Sequence, residues 1–429
     1  MVKTTVIGID LGTSGCRAVA IDAAGRLVAE GAVPLPPSQQ EGVAVQQSPQ
    51  HWWQAIEQLM PPLLEQLDPG SVTAIAVDGT SGSVLLADAE GNPLTPALMY
   101  NDNRARSQAE QIGQLAPRDS AAHGTGSGLA KLLWLLEHHT LPVGGRVHTQ
   151  ADWISGRLSE RYGYCDANNA LKLGYDPIAH RWPEWMHSLP LAEGLLPRVV
   201  APGAPIGPLS AELADRWGLS PQVMVCSGAT DSTAAFIASG AGAPGEAVTS
   251  LGSTLVLKVI AERPVFAPEY GVYSQPLGEY WLVGGSSNSG GAVLRHYFSD
   301  EKMAVLTPQL QPDQPTGLDY YPLLTPGERF PFNDPDLPPR LTPRPEDDLQ
   351  FLQGLLEGIA AIEKAGYDRL AALGAPYPVA VRSNGGGAKN RAWTAIRGRM
   401  LGVSMHQADA EEACYGTALL AKRCRQLCG

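Results

Sequence analysis

The stretch Val6–Asp22 reads VIGIDLGTSGCRAVAID. An apolar run ends at Asp10, a Gly/Thr/Ser turn follows, and an alternating run from Arg17 to Ile21 leads away, the pattern of two strands around a tight loop. Gly12 and Gly15 let backbone N–H groups come close to a ligand, and Thr13 and Ser14 add hydroxyl donors, so the loop suits phosphate oxygens. Asp10 implies a metal as well, because a carboxylate beside a polyphosphate is repelled unless a divalent cation lies between them. Alone, the stretch is more simply an ordinary glycine-containing hairpin.

A second copy shifts that balance. Residues 248–260 read VTSLGSTLVLKVI, in which Leu251, Gly252, Ser253 and Thr254 repeat Leu11, Gly12, Thr13 and Ser14 with the hydroxyl residues exchanged. Both turns follow one apolar run and precede another. The chain is therefore expected to hold two related halves, each with a phosphate-binding turn, gripping one nucleotide across a cleft.

At 429 residues the chain is long enough for two domains, each with its own core. Hydrophobic residues at 44% and charged residues at 17% suit a soluble globular protein. The net charge of −12 argues against a nucleic-acid partner and leaves a nucleotide with its metal open. The six cysteines are scattered apart from Cys424 and Cys428, and no CxxC or HExxH occurs, so neither zinc nor a redox dithiol is supported. Cys424 and Cys428 read most simply as small residues on a terminal helix. A strand begins almost at Met1 without a basic, apolar leader, and no apolar run reaches the roughly 18 residues of a membrane span. The expectation is a reduced, cytoplasmic protein with no membrane partner.

Along the chain, Ser48 and Pro49 open a helix. Residues 72–88 form a strand, turn and strand with Asp78, Thr80, Ser81 and Ser83 at the turn. Either the turn bonds to itself, or it receives an acceptor substrate with Ser81 as the leading hydroxyl. In MYNDNRAR, residues 99–106, Asp102 and Arg104 reach a polyol or open the next helix. Gly124, Gly126 and Gly128 precede a helix, but they lack the full GxGxxG and no strand comes before them, so they mark a helix start. Residues 151–185 mix aromatic and polar side chains, consistent with an inserted lobe or with core packing.

Residues 223–236, VMVCSGATDSTAAF, carry a short strand into Asp231 at the start of a helix made of small residues. Asp231 is either a first-turn acid or a general base with room beside it for a substrate hydroxyl. Its place between the two phosphate turns favours the base. In residues 282–293, LVGGSSNSGGAV, Gly290 belongs to a wall of the nucleotide site. Residues 307–345 read as an ordered irregular segment, and Gln350–Leu373 as a mostly buried helix. Residues 379–400 repeat strand, turn and helix: Gly385, Gly386 and Gly387 admit something flat, while Asn390 and Trp393, on one helical face, suit an adenine by hydrogen bonding and stacking. No P-loop and no GxSxG elbow is present. The final helix, Glu411–Cys428, is amphipathic and is expected to pack back on the first domain.

The motifs DLGTSGCR, YNDNR, GLAKLLWLLEHH, GATDS, TSLGST, PLLTPGERFPF and SNGGGAKN, in this order, resemble the FGGY carbohydrate kinases. That resemblance implies an α/β fold of two ribonuclease H-like (actin-like ATPase) domains around a deep interdomain cleft. It also implies ATP with Mg²⁺ and transfer of the terminal phosphoryl group to a sugar hydroxyl. By position Asp231 looks like the catalytic base and Asp10 like the acid near metal and phosphate. Gly12, Thr13, Gly252, Ser253 and Thr254 match the phosphate turns, and Gly386, Gly387 and Asn390 the adenosine motif. The implied domains are 1–238, with the helix 410–429 packing back on it, and 239–409. Gly128 departs from the Pro, Ser or Thr of one family signature, and DGTSG at 78–82 replaces a segment common in bacterial xylulose kinases. In residues 76–88 and 247–258 the chain is similar to short ketopentose kinases, with D-ribulose as first choice and D-xylulose second, acting as monomer or homodimer; the alternative is a non-phosphorylating, nucleotide-gated sugar-binding protein with weak ATPase.

Overall fold

The 6–22 stretch folds as the hairpin its pattern predicts: the strand Thr5–Leu11 pairs antiparallel with Gly15–Asp22. Every residue of Thr5–Leu11 is buried, because both faces of this central strand are covered. Ile7, Ile9 and Leu11 pack with Trp52, Ile56 and Leu59 of the helix Pro49–Leu64. On the other face Val6 packs with Cys414, Ala418 and Ala421 of the C-terminal helix, Ala413–Cys428. Gly8 makes that second contact possible, since a Cβ there would lie 2.1 Å from the Cys414 carbonyl oxygen.

The computed structural model describes residues 4–428 and divides them into two units. The first runs to Ala238 and includes the segment from Glu412; the second is Ser239–Glu411. Their main sheets share one plan. In the first, an antiparallel meander of Leu27–Pro34, Gly15–Asp22 and Thr5–Leu11 continues into the parallel strands Val72–Gly79 and Met224–Cys226, with Pro205–Pro208 at the edge. In the second, Tyr280–Ser287, Leu255–Ala261 and Glu246–Leu251 form the meander, and Ala380–Asn384 and Ser404–Gln407 are the parallel strands. Each parallel step requires a crossover, which long helices such as Pro49–Leu64 and Asp348–Ala372 supply.

The strands on either side of the 80–83 turn belong to different sheets. Val72–Gly79 lies in the main sheet, whereas Val84–Ala87 joins a five-stranded sheet with Arg146–Thr149 and Ala97–Leu98. That second sheet has its own core against the helix Gly128–His138, with Trp182 and Trp185 packed on it. Ser127 caps this helix by accepting from Ala130 N, so the glycine-rich stretch before it is a helix start. The 307–345 segment is irregular but ordered: Tyr320 and Phe330 are buried, and Glu328 accepts from Ser287, Asn288 and Tyr321.

One expectation is corrected. Cys226, at the end of the strand before Asp231, is disulfide-bonded to Cys424 of the C-terminal helix. A pair separated by 198 residues leaves no mark in local spacing, so the cysteine count alone hid it. Among the described residues, no helix is long and apolar enough to cross a membrane.

Candidate active site

Within the first unit, three strand ends bring the expected residues together. Parallel register sets Asp10 beside Asp78, and a bridge between Gly79 and Thr230 draws the 80–83 turn to the start of the helix Asp231–Ala238. Gly228 allows the approach, because a Cβ there would lie 1.8 Å from the Val77 carbonyl oxygen. Asp231 is half-buried at the head of its helix, and one carboxylate oxygen accepts from Ser232 N at 2.6 Å. A carboxylate in this position is held by the helix N-terminus and still reaches solvent. The C-terminal helix wedges behind both acids: Thr417 bonds Asp78, and Gly416 sits so close to Ala234 that a Cβ would meet its carbonyl oxygen at 1.8 Å.

Asp10 and Asp78 are an electrostatic problem for the protein alone. Burial pushes the Asp10 carboxyl above its usual range, and the nearby Asp231 charge adds to the effect. Asp78 is fully buried and pushed further up, by burial first and by Asp10 second. Its Oδ2 accepts from Thr417, while its Oδ1 has no hydrogen-bond partner among the described residues. Two adjacent buried carboxyls with an orphaned oxygen, beside the half-exposed Gly12 and Thr13 and the exposed Ser14, fit a hydrated divalent cation near Asp10.

The 80–83 turn is braced from below. Gln150 Oε1 accepts from Thr80 N at 2.9 Å and from Thr80 Oγ1 at 2.7 Å, and Ser83 Oγ accepts from Tyr100 N. Lys131, wholly buried, donates to the carbonyls of Gly82, Gly126 and Tyr100, tying three loops together. Lys172 donates to Ser81 O at 3.2 Å. The half-buried Ser81 makes no side-chain hydrogen bond among the described residues. Asp102 corrects an expectation: it is fully buried, with its oxygens accepting from Val45 N, Arg104 N and Arg104 Nε. Its carboxylate joins segments and presents nothing to a sugar.

In the second unit, the Gly252–Thr254 turn occupies the place that Gly12–Ser14 holds in the first, with Ser253 and Thr254 exposed. Ser250 pairs with Asn384 where Asp10 pairs with Asp78, so this turn lacks carboxylates. Gly290 (φ +147°) is buried behind the turn, and a Cβ would lie 2.7 Å from Ser253 O; it supports the turn from behind. Arg295 Nη2 donates to Ser253 Oγ at 2.9 Å, a cation at the turn that sequence reading passed over. Gly386 is exposed and Gly387 half-buried, where the adenosine motif is expected.

The adenine pair is corrected in part. Trp393 is buried, its indole N–H donates to Leu356 O, and its ring lies 2.4 Å from where a Gly387 Cβ would be. It underlies the glycine loop as core and offers no stacking face. Asn390 caps the helix Arg391–Leu401 by accepting from Trp393 N at 2.9 Å, and its Nδ2 donates to Thr307 at 3.4 Å. Behind this motif a buried network joins Arg397 to Glu363 through two bonds of 2.6 and 2.7 Å, and reaches Ser383 and Thr249.

The chain belongs to the FGGY family of carbohydrate kinases: the N-terminal domain of that family matches residues 5–238 and the C-terminal domain residues 247–423. Members are sugar kinases that use ATP with Mg²⁺, and this chain is one of them. Its relatives include the xylulose kinase of Escherichia coli K12, 26% identical over 439 residues, covering 98% of this chain and 89% of that protein. The gluconokinase of Bacillus licheniformis is 25% identical over 365 residues, covering 78% and 70%. Among solved structures, the xyloylose kinase of Brucella ovis aligns with a TM-score of 0.87 and 26% identity, covering 98% of this chain and 90% of that one. The two-domain actin-like fold expected from the motifs is the fold of this family.

Proposed function

We propose that this kinase phosphorylates a ketopentose at its terminal hydroxyl, with D-ribulose as the first substrate and D-xylulose as the second. The observation that carries the reading is the convergence, in the first unit, of Asp231, Asp10 and the Ser81 hydroxyl on neighbouring strand ends. The names of the relatives support D-xylulose, and the replacement at 78–82 supports D-ribulose.

Asp231 accepts the proton of the sugar hydroxyl as that oxygen attacks the terminal phosphorus of ATP; the bond from that phosphorus to the bridging oxygen breaks and ADP leaves. Ser81 orients the acceptor. Asp10 would hold Mg²⁺, directly or through water, and that ion when bound would supply positive charge against the phosphates. The hydroxyls and backbone donors of Gly12, Thr13 and Ser14, and of Gly252, Ser253 and Thr254, hold the phosphates. Gly386, Gly387 and Asn390 border the adenosine. We place the reaction in the cytoplasm, where ATP is supplied, with the enzyme a monomer or homodimer.

The test is ADP release against a panel of ketopentoses, aldoses, polyols and no sugar, repeated with Asp231→Asn. Strong stimulation by one pentulose is expected, with turnover lowered roughly 10²–10⁴-fold in the variant and the KM for ATP nearly unchanged. Hydrolysis indifferent to every sugar would overturn the reading, and an undiminished variant would remove Asp231 as the base.

A further inference from the structure

We propose that Lys172 donates to the carbonyl oxygen of an open-chain ketose, and that this contact separates ketoses from polyols at the acceptor site. The inference rests on the ketopentose reading above and adds the residue that recognises the oxidised carbon.

Lys172 is placed rigidly. Asp166 caps the short helix Ala167–Ala170, accepting from Asn168 N, Asn169 N and Asn169 Nδ2 at 2.9, 3.0 and 2.7 Å. The following turn Leu171–Leu173 buries both leucines and leaves Lys172 between them, half-buried. Its stem runs along the 80–83 turn: a Cβ on Gly82 would lie 3.0 Å from Cδ and 3.7 Å from Nζ. Nζ lies 3.2 Å from Ser81 O. The Gly79–Thr230 bridge sets this turn beside Asp231, so the ammonium, the Ser81 hydroxyl and the proposed base share one neighbourhood.

The two lysines of this turn differ in what they have left to give. An ammonium has three donors and no acceptor. Lys131 spends all three on carbonyls inside the fold and is wholly buried, the pattern of a structural staple. Lys172 makes one such bond among the described residues, so two N–H directions remain. Burial lowers its pKa while the Asp231 charge acts against that, so the ammonium is held in the field of the proposed base.

Complementarity then selects the ligand. A carboxylate such as that of Asp231 only accepts hydrogen bonds, so it matches sugar hydroxyls. A ketone oxygen can only accept, so it needs a donor, and Lys172 is a donor-only group beside Ser81. A polyol puts a hydroxyl at the same carbon: its oxygen also accepts from the ammonium, but its hydrogen must be turned away from Lys172 onto an acceptor that a ketose leaves for its other hydroxyls. Loss of such a matched contact discriminates by roughly 10- to 100-fold.

The experiment compares wild type with Lys172→Met, which keeps the length of the stem and removes the donors. Steady-state kinetics are measured with D-ribulose, D-xylulose and the matching pentitols, together with the KM for ATP and the melting temperature. Wild type is expected to favour a pentulose over its pentitol by about tenfold or more in kcat/KM. In the variant, pentulose kcat/KM should fall roughly 10- to 100-fold, mainly through KM, and the ketose-to-polyol ratio should collapse towards one. The KM for ATP and the melting temperature should stay near wild type.

A lysine that only packs would weaken both substrates alike; an unchanged ratio in an active variant therefore overturns this inference and leaves the kinase reading standing. Should the variant fail to fold, the wild-type ratio decides, and equal use of pentulose and pentitol overturns the inference. Wild type that phosphorylates no pentulose overturns both readings.

Discussion

Replacing Gly228 by alanine tests whether the geometry behind Asp231 controls turnover. The added Cβ would lie 1.8 Å from Val77 O, 2.6 Å from Val77 C and 3.2 Å from Asp78 N, all backbone atoms of a central strand. Ordinary contact begins near 3.4 Å, so relief requires a shift of about 1.6 Å. Val77 is wholly buried and its strand is paired on both sides, so the 227–230 loop must move, carrying Asp231 three residues on. Misplacing a reacting group by about 1 Å costs roughly 10²-fold in rate, and overpacking costs about 1–3 kcal/mol in stability. Expected, then, is a fall in kcat of about two orders of magnitude with the KM for ATP little changed and a lowered melting temperature, read by coupled ADP release and thermal unfolding. Gly113→Ala is the control: it is exposed in the helix Arg106–Leu115 with open space around it, and should stabilise by about 0.5–1 kcal/mol without touching turnover. A Gly228→Ala enzyme with wild-type kcat and melting temperature would refute the close packing of loop on strand and the dependence of catalysis on it.

Arg397→Met in the second unit leaves Glu363 buried with an uncompensated charge, and should destabilise by about 3–5 kcal/mol in urea unfolding. Glu363 is bonded to Thr249 and Arg397 to Ser383, so a wild-type midpoint would show the network to be dispensable. His148 should contribute a pH dependence. Burial, then the Arg146 charge, lowers its pKa to about 4, against about 6.5 when unfolded. Between those values the unfolded chain binds a proton that the native one does not, so this part of the stability is present above pH 6.5 and falls as pH drops towards 4. His148→Leu should therefore lose about 2 kcal/mol less than wild type between pH 7.5 and pH 5, measured as the difference between two urea curves. Equal losses would mean that the imidazole is not held neutral.

Legibility in the sequence followed the range of each interaction. The hairpin at 6–22, the second turn at 252–254 and the helix opened by Asp231 are set by neighbours, and pattern alone located them. Where two distant segments decide a side chain's use, pattern misled. Asp102 looked available in YNDNR, yet Val45 N, 57 residues away, takes its carboxylate. Trp393 follows Asn390 by three residues, a spacing that predicts one shared helical face, but Asn390 is the cap outside the helix and the Trp393 ring turns inward against Gly387, its N–H bonded to Leu356 O. Lys172 and Arg295 acquire significance only through contacts 91 and 42 residues off. No local signal marks such residues. The Cys226–Cys424 link is the same lesson in covalent form.

The helix Ala413–Cys428 covers one face of a sheet whose strands were all made before the second unit began. As the chain leaves the ribosome, Val6, Ala74 and Ala76 stay bare through the making of some 170 further residues, an interval in which exposed apolar surface invites aggregation. The first unit to be synthesised is thus the last to be finished. Any fusion, nick or truncation near residues 413–425 would be felt at Asp78, although more than three hundred residues separate them in sequence.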